Sequence, residues 1–204
     1  MFTGQPANKK GRPPQGAWYQ PSEQMKANKN LKELFFDYPT KQWHFEQLLK
    51  EVGLSRAQTN ARLKKLMKEA LIKRVKPRGR MPYYLARYDA QEYINAKKLF
   101  ALEKFHDSGF LGHLSSLKSA KAVVIFGSMV RGDWYNESDI DLFVYGDADE
   151  IELGKYWLKL GREIQFFGCK NKEELKKYSP ALLRNILNGY TVKGSIPVEV
   201  KTIA

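Results

Sequence analysis

Phe126-Gly127-Ser128-Met129-Val130-Arg131-Gly132, followed after five residues by Ser138-Asp139-Ile140-Asp141-Leu142-Phe143-Val144, is the stretch that decides the fold. An apolar strand, Ala122 to Phe126, runs into a Gly-Ser turn and one helical turn carrying Arg131; a second strand then presents two aspartates one residue apart. Side chains alternate across a strand, so Asp139 and Asp141 share one face while Ile140 and Leu142 turn to the other, toward a core. Two carboxylates so placed hold a divalent cation that takes its remaining ligands from phosphate and water, as magnesium prefers. Gly127 lets the backbone pass close to a ligand, Ser128 opens a short helix whose N–H groups favour an anion, and Arg131 lies one turn on. The parts describe a site for a metal-bound triphosphate, positioned for in-line attack. Taken singly, a Gly-Ser turn is an ordinary cap and Ser-Asp-x-Asp an ordinary loop end; their order and spacing carry the reading.

Gly127-Ser128, Arg131-Gly132 and Ser138 to Leu142 together resemble the signature of the DNA polymerase beta nucleotidyltransferase superfamily, and most of all its minimal nucleotidyltransferase branch. The resemblance covers roughly the second half of the chain. It implies an α/β (α+β) nucleotidyltransferase fold with a mixed sheet. It also implies nucleotide binding by Gly127, Ser128, Arg131 and Ser138, and metal binding (magnesium or manganese) by Asp139 and Asp141. The reaction implied is transfer of a nucleoside monophosphate from an NTP, ATP first, to an acceptor hydroxyl. Free minimal nucleotidyltransferases of this kind often act as antitoxins that adenylylate a partner toxin, which makes a protein acceptor the expectation by analogy.

A third carboxylate on a later strand completes the metal site in that family, and here the sequence departs. After a helix expected from about Asp149 to Leu160, the strand Arg162 to Phe167 places Gln165 where the family has aspartate. An amide cannot accept a hydroxyl proton. Glu163, two residues back on the same strand face, is the nearest substitute as a catalytic residue beside Asp139 and Asp141, and Glu199 is a more distant one. Either catalysis uses a relocated carboxylate, or the site binds nucleotide with little turnover.

Charge points to a second activity. Met1 to Arg87 holds 19 Lys and Arg against 6 Asp and Glu, so the whole formal excess of +13 lies there and the remainder is balanced. A polyanion partner follows, nucleic acid before membrane, since no long apolar run or lipidation signal is present. The expected domains are 1–28, a disordered basic tail; 29–87, a small DNA-binding domain; 88–118, a helical linker; and 119–204, the nucleotidyltransferase domain. In the tail, Lys9 to Pro14 resembles an AT-hook, with a basic solubilising tail as the alternative. Three helical patterns follow. Leu31, Leu34 and Phe35 share a face; Phe45, Leu48, Leu49 and Val52 repeat the spacing before Gly53; Ser55 caps a third helix with Ala57, Ala61, Leu63, Leu66, Met67 and Ala70 as its apolar positions. Strands Leu71 to Val75 and Tyr83 to Leu85 flank Lys76 to Pro82, and the whole looks like a winged helix-turn-helix.

On the third helix Arg56, Gln58, Thr59, Asn60, Arg62, Lys64 and Lys65 supply an exposed polar side. Arg56, Gln58, Asn60, Arg62 and Lys64 are the expected contacts to double-stranded DNA, with Arg78 and Arg80 at the wing tip. The alternative is a protein-docking module with a solvated basic face. The helix expected from Ala90 to Lys104 has Tyr93, Ile94, Leu99 and Leu102 as apolar positions, His106 and His113 read as polar or capping residues, and Pro180 opens a last helix to Leu187. The single Cys169 excludes an internal disulfide, no zinc-ligand spacing exists, and Met1 to Gln20 lacks a signal-peptide core, so the chain is expected in the cytoplasm. The runner-up is a DNA-binding regulator whose transferase fold serves as a nucleotide sensor or a dimerisation module; a homodimer is compatible with either. A small-molecule transferase leaves the basic domain unexplained.

Overall fold

The structure, a computed structural model, describes residues 30–197; Lys9 to Pro14 and Glu199 lie outside them. The chain divides into two compact units. Of the described residues, one unit holds 30–99 together with Asp133–Glu137, and the other holds Phe100–Gly132 and 138–197. The division falls inside the 88–118 stretch, in the middle of a helix.

The N-terminal unit starts with α1 (Leu31–Asp37), α2 (Phe45–Val52) and α3 (Arg56–Lys68), followed by the antiparallel pair β1 (Ile72–Val75) and β2 (Tyr83–Ala86). Asn30 and Ser55 cap α1 and α3 with their side chains. Trp43, between α1 and α2, adds an isolated bridge to β2: its N–H donates to Tyr84 O at 2.9 Å and its carbonyl accepts from Tyr84 N at 2.8 Å. On α3 the inward positions differ from the expectation. Thr59 is fully buried with Leu63 and Leu66, whereas Ala57 and Ala61 are exposed. Burial follows the helix's i, i+4, i+7 row, and that row starts at a threonine.

The helix α4 (Gln91–Asp107) shows the same effect. Its buried row is Tyr93, Lys97, Phe100, Ala101 and Phe105, and Leu99, expected inside, is 61 % exposed. Lys97 is accommodated inside the N-terminal unit because its ammonium donates to the carbonyl of Trp134 and lies 4.4 Å from the centre of the Trp134 ring. Trp134 itself is buried edge-on against Phe36 at 6.0 Å, and the N–H of Asn136 donates to Asp37 O at 2.9 Å. Tyr93 completes this cluster by donating to Phe35 O at 2.7 Å, and burial followed by the nearby Asp37 charge pushes its phenol well above the ordinary range.

The second unit is built on a four-stranded mixed sheet in the order β5-β4-β3-β6. Its strands are β3 (Ala120–Phe126), β4 (Ile140–Gly146), β5 (Ile164–Cys169) and β6 (Tyr190–Gly194). β3 is antiparallel to both β4 and β6, while β4 and β5 run parallel. Both faces of the central strands are covered, which is why Ala122 to Phe126 reads as a continuous apolar run. The short helices are α5 (Phe110–Ser116), α6 (Ser128–Arg131), α7 (Leu153–Leu160), α8 (Lys172–Leu175) and α9 (Pro180–Leu187). Ala122, Val124, Phe126, Phe143, Tyr145 and Cys169 on one sheet face pack with Leu175, Leu183 and Ile186 of α8 and α9. Here α7 begins at Leu153 and not near Asp149, and β5 runs to Cys169. His113 caps, as expected of a capping histidine: its Nε2 accepts from the Glu152 N–H at the start of α7. Among the described residues no helix is long and apolar enough to cross a membrane.

One backbone position tests the packing of the N-terminal unit. Ala70 follows α3 at φ 58°, with Leu71 N–H donating to Leu66 O and Ala70 N–H to Met67 O, the hydrogen-bond pattern of a left-handed helix ending. A Cβ in that region costs about 1–2 kcal/mol, which glycine avoids at some cost in chain entropy. Ala70→Gly should therefore raise stability by about 1 kcal/mol, read as a higher urea midpoint with an unchanged slope.

Candidate metal and nucleotide site

Strand pairing assembles the site. Phe126 pairs with Asp141 across β3 and β4, so the chain leaves β3 into the Gly127-Ser128 turn directly beside the aspartates. Gly127 adopts φ 77°, ψ −152°, a conformation open in practice to glycine, and the carboxylate of Asp141 closes over it. A Cβ on Gly127 would collide with Asp141 Oδ2 and sit 2.9 Å from its Cγ. The next four residues form α6, closed by Gly132 in the left-handed region. Arg131, exposed at its end, donates from Nη1 to Asn185 Oδ1 of α9 at 3.2 Å and acts on Asp141 as a nearby positive charge.

The two aspartates are coupled. Burial first, and the Asp139 charge second, push the Asp141 carboxyl up to about 6, with Arg131 opposing. Asp139 is raised as well, by burial and then by Glu163, with Arg162 pulling it down. Two partly desolvated carboxylates that repel each other suit a divalent cation, and the residues present fit one that draws its other ligands from phosphate and water. Among the described residues no three His, Cys, Asp or Glu side chains converge to hold a metal ion by themselves.

On β5, Gln165 pairs with Asp141 and Ile164 with Ile140, so the amide occupies the place opposite the second aspartate. Glu163 falls one strand repeat back. Its carbonyl accepts from Ile140 N–H at 2.8 Å, and its carboxylate lies within electrostatic reach of Asp139. Ser138 contributes its carbonyl, which accepts from Arg162 Nη1 at 2.9 Å. Arg162 and Asn185 are members of this neighbourhood that the sequence pattern did not single out. Arg162 directly precedes Glu163, and that adjacency was its available signal.

The basic residues of the N-terminal unit lie on α3 and on the β1–β2 turn. Arg56 is engaged by Glu46 in a two-pronged ion pair at 2.7 and 3.1 Å, and Gln58 accepts from the Ser55 N–H as part of the α3 cap. Both side chains therefore have a local structural task. Asn60, Arg62 and Lys64 are exposed along α3, and Arg78 and Arg80 are exposed around Gly79.

Residues 113–192 match the family model described as polymerase beta, nucleotidyltransferase. Over 73 residues the chain is 41 % identical to a candidate protein adenylyltransferase of Methanocaldococcus jannaschii, covering 33 % of this chain and 71 % of that protein. No solved structure gives a significant match.

The raised Asp141 carboxyl has a consequence for stability. The folded chain binds that proton more tightly than the unfolded chain, whose carboxyl titrates near its ordinary 3.8. Its charge therefore destabilises the fold above about 6, and the penalty disappears as pH falls below about 3.8. In metal-free buffer at pH 7.5, Asp141→Asn should melt about 2–4 °C higher than wild type, what 1 kcal/mol is worth in a chain of this size once solvent screening of the exposed part is allowed for. The difference should close by pH 4 in thermal scans.

Proposed function

The chain belongs to the polymerase beta nucleotidyltransferase family, and we propose that it transfers AMP from ATP to a hydroxyl group of a partner protein while its N-terminal unit holds double-stranded DNA. The observation that carries the transfer reading is the Asp139–Asp141 pair set against the Gly127 turn, with Glu163 beside Asp139. Gly127, Ser128 and Arg131 bind the triphosphate tail, Ser138 shapes the loop before Asp139, and Asp139 and Asp141 hold magnesium or manganese. The cation, when bound, neutralises charge that develops on the phosphates and orients the triphosphate. The acceptor oxygen attacks the α-phosphorus, the bond to the β-phosphate oxygen breaks, pyrophosphate leaves, and Glu163 takes the hydroxyl proton. The protein acceptor rests on the name of the Methanocaldococcus relative. An antitoxin-like pairing with a toxin acceptor is one form that this reaction would take.

Glu163 supplies general-base help of the kind worth ~10² to 10⁴ in rate. With labelled ATP, magnesium and the acceptor captured from a lysate, Glu163→Gln should lose turnover by about that factor and keep triphosphate affinity, the mark of a group used in the transition state. A second reading, a nucleotide sensor without transfer, is favoured by Gln165 standing opposite Asp141. Tight binding with no labelled product in wild type, and product on Gln165→Asp, would select it.

The DNA reading is supported by the basic excess and by the order of elements, α1, the bridged Trp43, α2, α3 and a β-hairpin, which is the order of a winged helix. Asn60, Arg62 and Lys64 are the remaining groups on α3 suited to base edges and phosphates; Arg78 and Arg80 suit the backbone or minor groove. Affinity for duplex should fall steeply with salt, each phosphate contact adding about −0.9 to the log–log slope. In a gel-shift titration, Arg78→Ala with Arg80→Ala should weaken all sequences alike, whereas Asn60→Ala should change sequence preference. No duplex binding at low salt would leave a protein-docking module.

A further inference from the structure

A transferase that uses two divalent cations holds them roughly 3.5–4 Å apart, and carboxylates must draw both in. This site has lost one of those attractions and gained an opposing charge. Gln165, opposite Asp141, contributes no charge. Glu163, just before β5, is two residues from Gln165, roughly 6–7 Å at the ordinary strand rise, and acts on Asp139. There Arg162 is already seated. Its Nη1 donates to the carbonyl of Ser138 at 2.9 Å, the peptide immediately before Asp139, which anchors the guanidinium beside that aspartate. Among the described residues no third metal-ligating side chain joins Asp139 and Asp141 closely enough to complete a cage.

Charge balance gives the rest. Asp139, Asp141 and Glu163 set against Arg131 and Arg162 leave one net negative charge on the protein side, so a single divalent cation already exceeds what these side chains alone can balance. A second divalent cation at Asp139 would have to sit beside the anchored guanidinium of Arg162, a like charge that disfavours it. Arginine keeps its charge at every working pH, so this repulsion does not switch off.

We propose that the site takes one divalent cation per bound triphosphate, on Asp139 and Asp141, and that Arg162 occupies with its guanidinium the place beside Asp139 to which a second cation would otherwise be drawn. The proposal rests on the metal–triphosphate reading above. Arg162 is a positioning residue: it holds the Ser138–Asp139 turn and sets the cation number without touching the reacting atoms.

The test counts ions directly. The full chain is dialysed to equilibrium against manganese and a non-hydrolysable ATP analogue, protein-bound manganese and nucleotide are both measured, and manganese spin resonance reports whether two ions are close enough to couple. Wild type should bind one manganese per nucleotide with no coupled-ion signal. Arg162→Gln should bind two, and Arg162→Lys, which keeps the positive charge, should return to one. Two manganese ions per nucleotide in wild type would overturn the proposal while leaving the site reading intact. A folded Arg162→Gln that still binds one, judged by an unchanged thermal transition, would overturn the role of Arg162. Absence of both manganese and nucleotide in wild type would sink the proposal together with the site reading. If Arg162→Gln fails to fold, the wild-type count and the lysine variant still decide.

Discussion

The carboxylate of Asp141 lying on the α-carbon of Gly127 is the contact around which the second unit is organised. It exists because β3 and β4 pair in the register that sets Phe126 opposite Asp141, so the turn leaving one strand meets the acid opening the other. A register slip of one residue would turn Asp141 into the face now filled by Ile140 and Leu142, both fully buried, and would drive those apolar groups into the cleft. The apolar faces of β3 and β4 thus fix the position of the acid, and the missing side chain of Gly127 makes room for it. Burial raises the carboxyl, so the fold spends some of its packing stability to keep the acid there.

The segment between the two halves of this motif has its own anchor. Trp134, lying in the chain between Arg131 and Asp139, is buried in the N-terminal unit against Phe36 and Lys97, and the exposed Asn136 ties its backbone to Asp37. A buried ammonium is expensive unless its donors are used. Lys97 meets that demand with the Trp134 carbonyl and the Trp134 ring, so the one lysine ties down a loop by two kinds of interaction at once. Apolar burial alone would have held the tryptophan without specifying the path of its backbone; the hydrogen bond from Lys97 specifies it.

Much of the second unit was legible in the sequence because its signals are local. The run Ala122 to Phe126, the alternation Asp139 to Leu142 and the glycines at 127 and 132 each have one structural meaning, and their spacing leaves little freedom. The misread positions share a different cause. Thr59 is a polar residue on a buried row and Leu99 an apolar residue on an open face, so a pattern that sorts by polarity assigns both to the wrong side, and it gives no reason to expect the buried Lys97. Trp43 forms its bridge through backbone atoms, which leave no mark in side-chain pattern. Arg162 and Asn185 reach the site through tertiary placement, one from just before β5 and the other from α9, and no spacing in the chain links them to Asp139 or Arg131.

Gln165 looks like a loss when compared with a three-carboxylate site, yet the electrostatics of its neighbour give it a use. Its side chain is exposed on an edge strand, so amide or carboxylate would pack equally well and the fold is indifferent between them. Asp141 is not indifferent. Its carboxyl already stands at about 6 through burial and the charge of Asp139, and a further carboxylate in register across β4 and β5 would push it higher, toward the pH at which the protein works. With glutamine at 165, Asp141 stays ionised near neutral pH before any metal arrives, and Arg162 relieves Asp139 in the same way from the other side. On the proposed reading, a third carboxylate at Glu163 in place of 165 separates two tasks that three adjacent acids would have to share, capture of a cation by the aspartate pair and removal of a proton beside it.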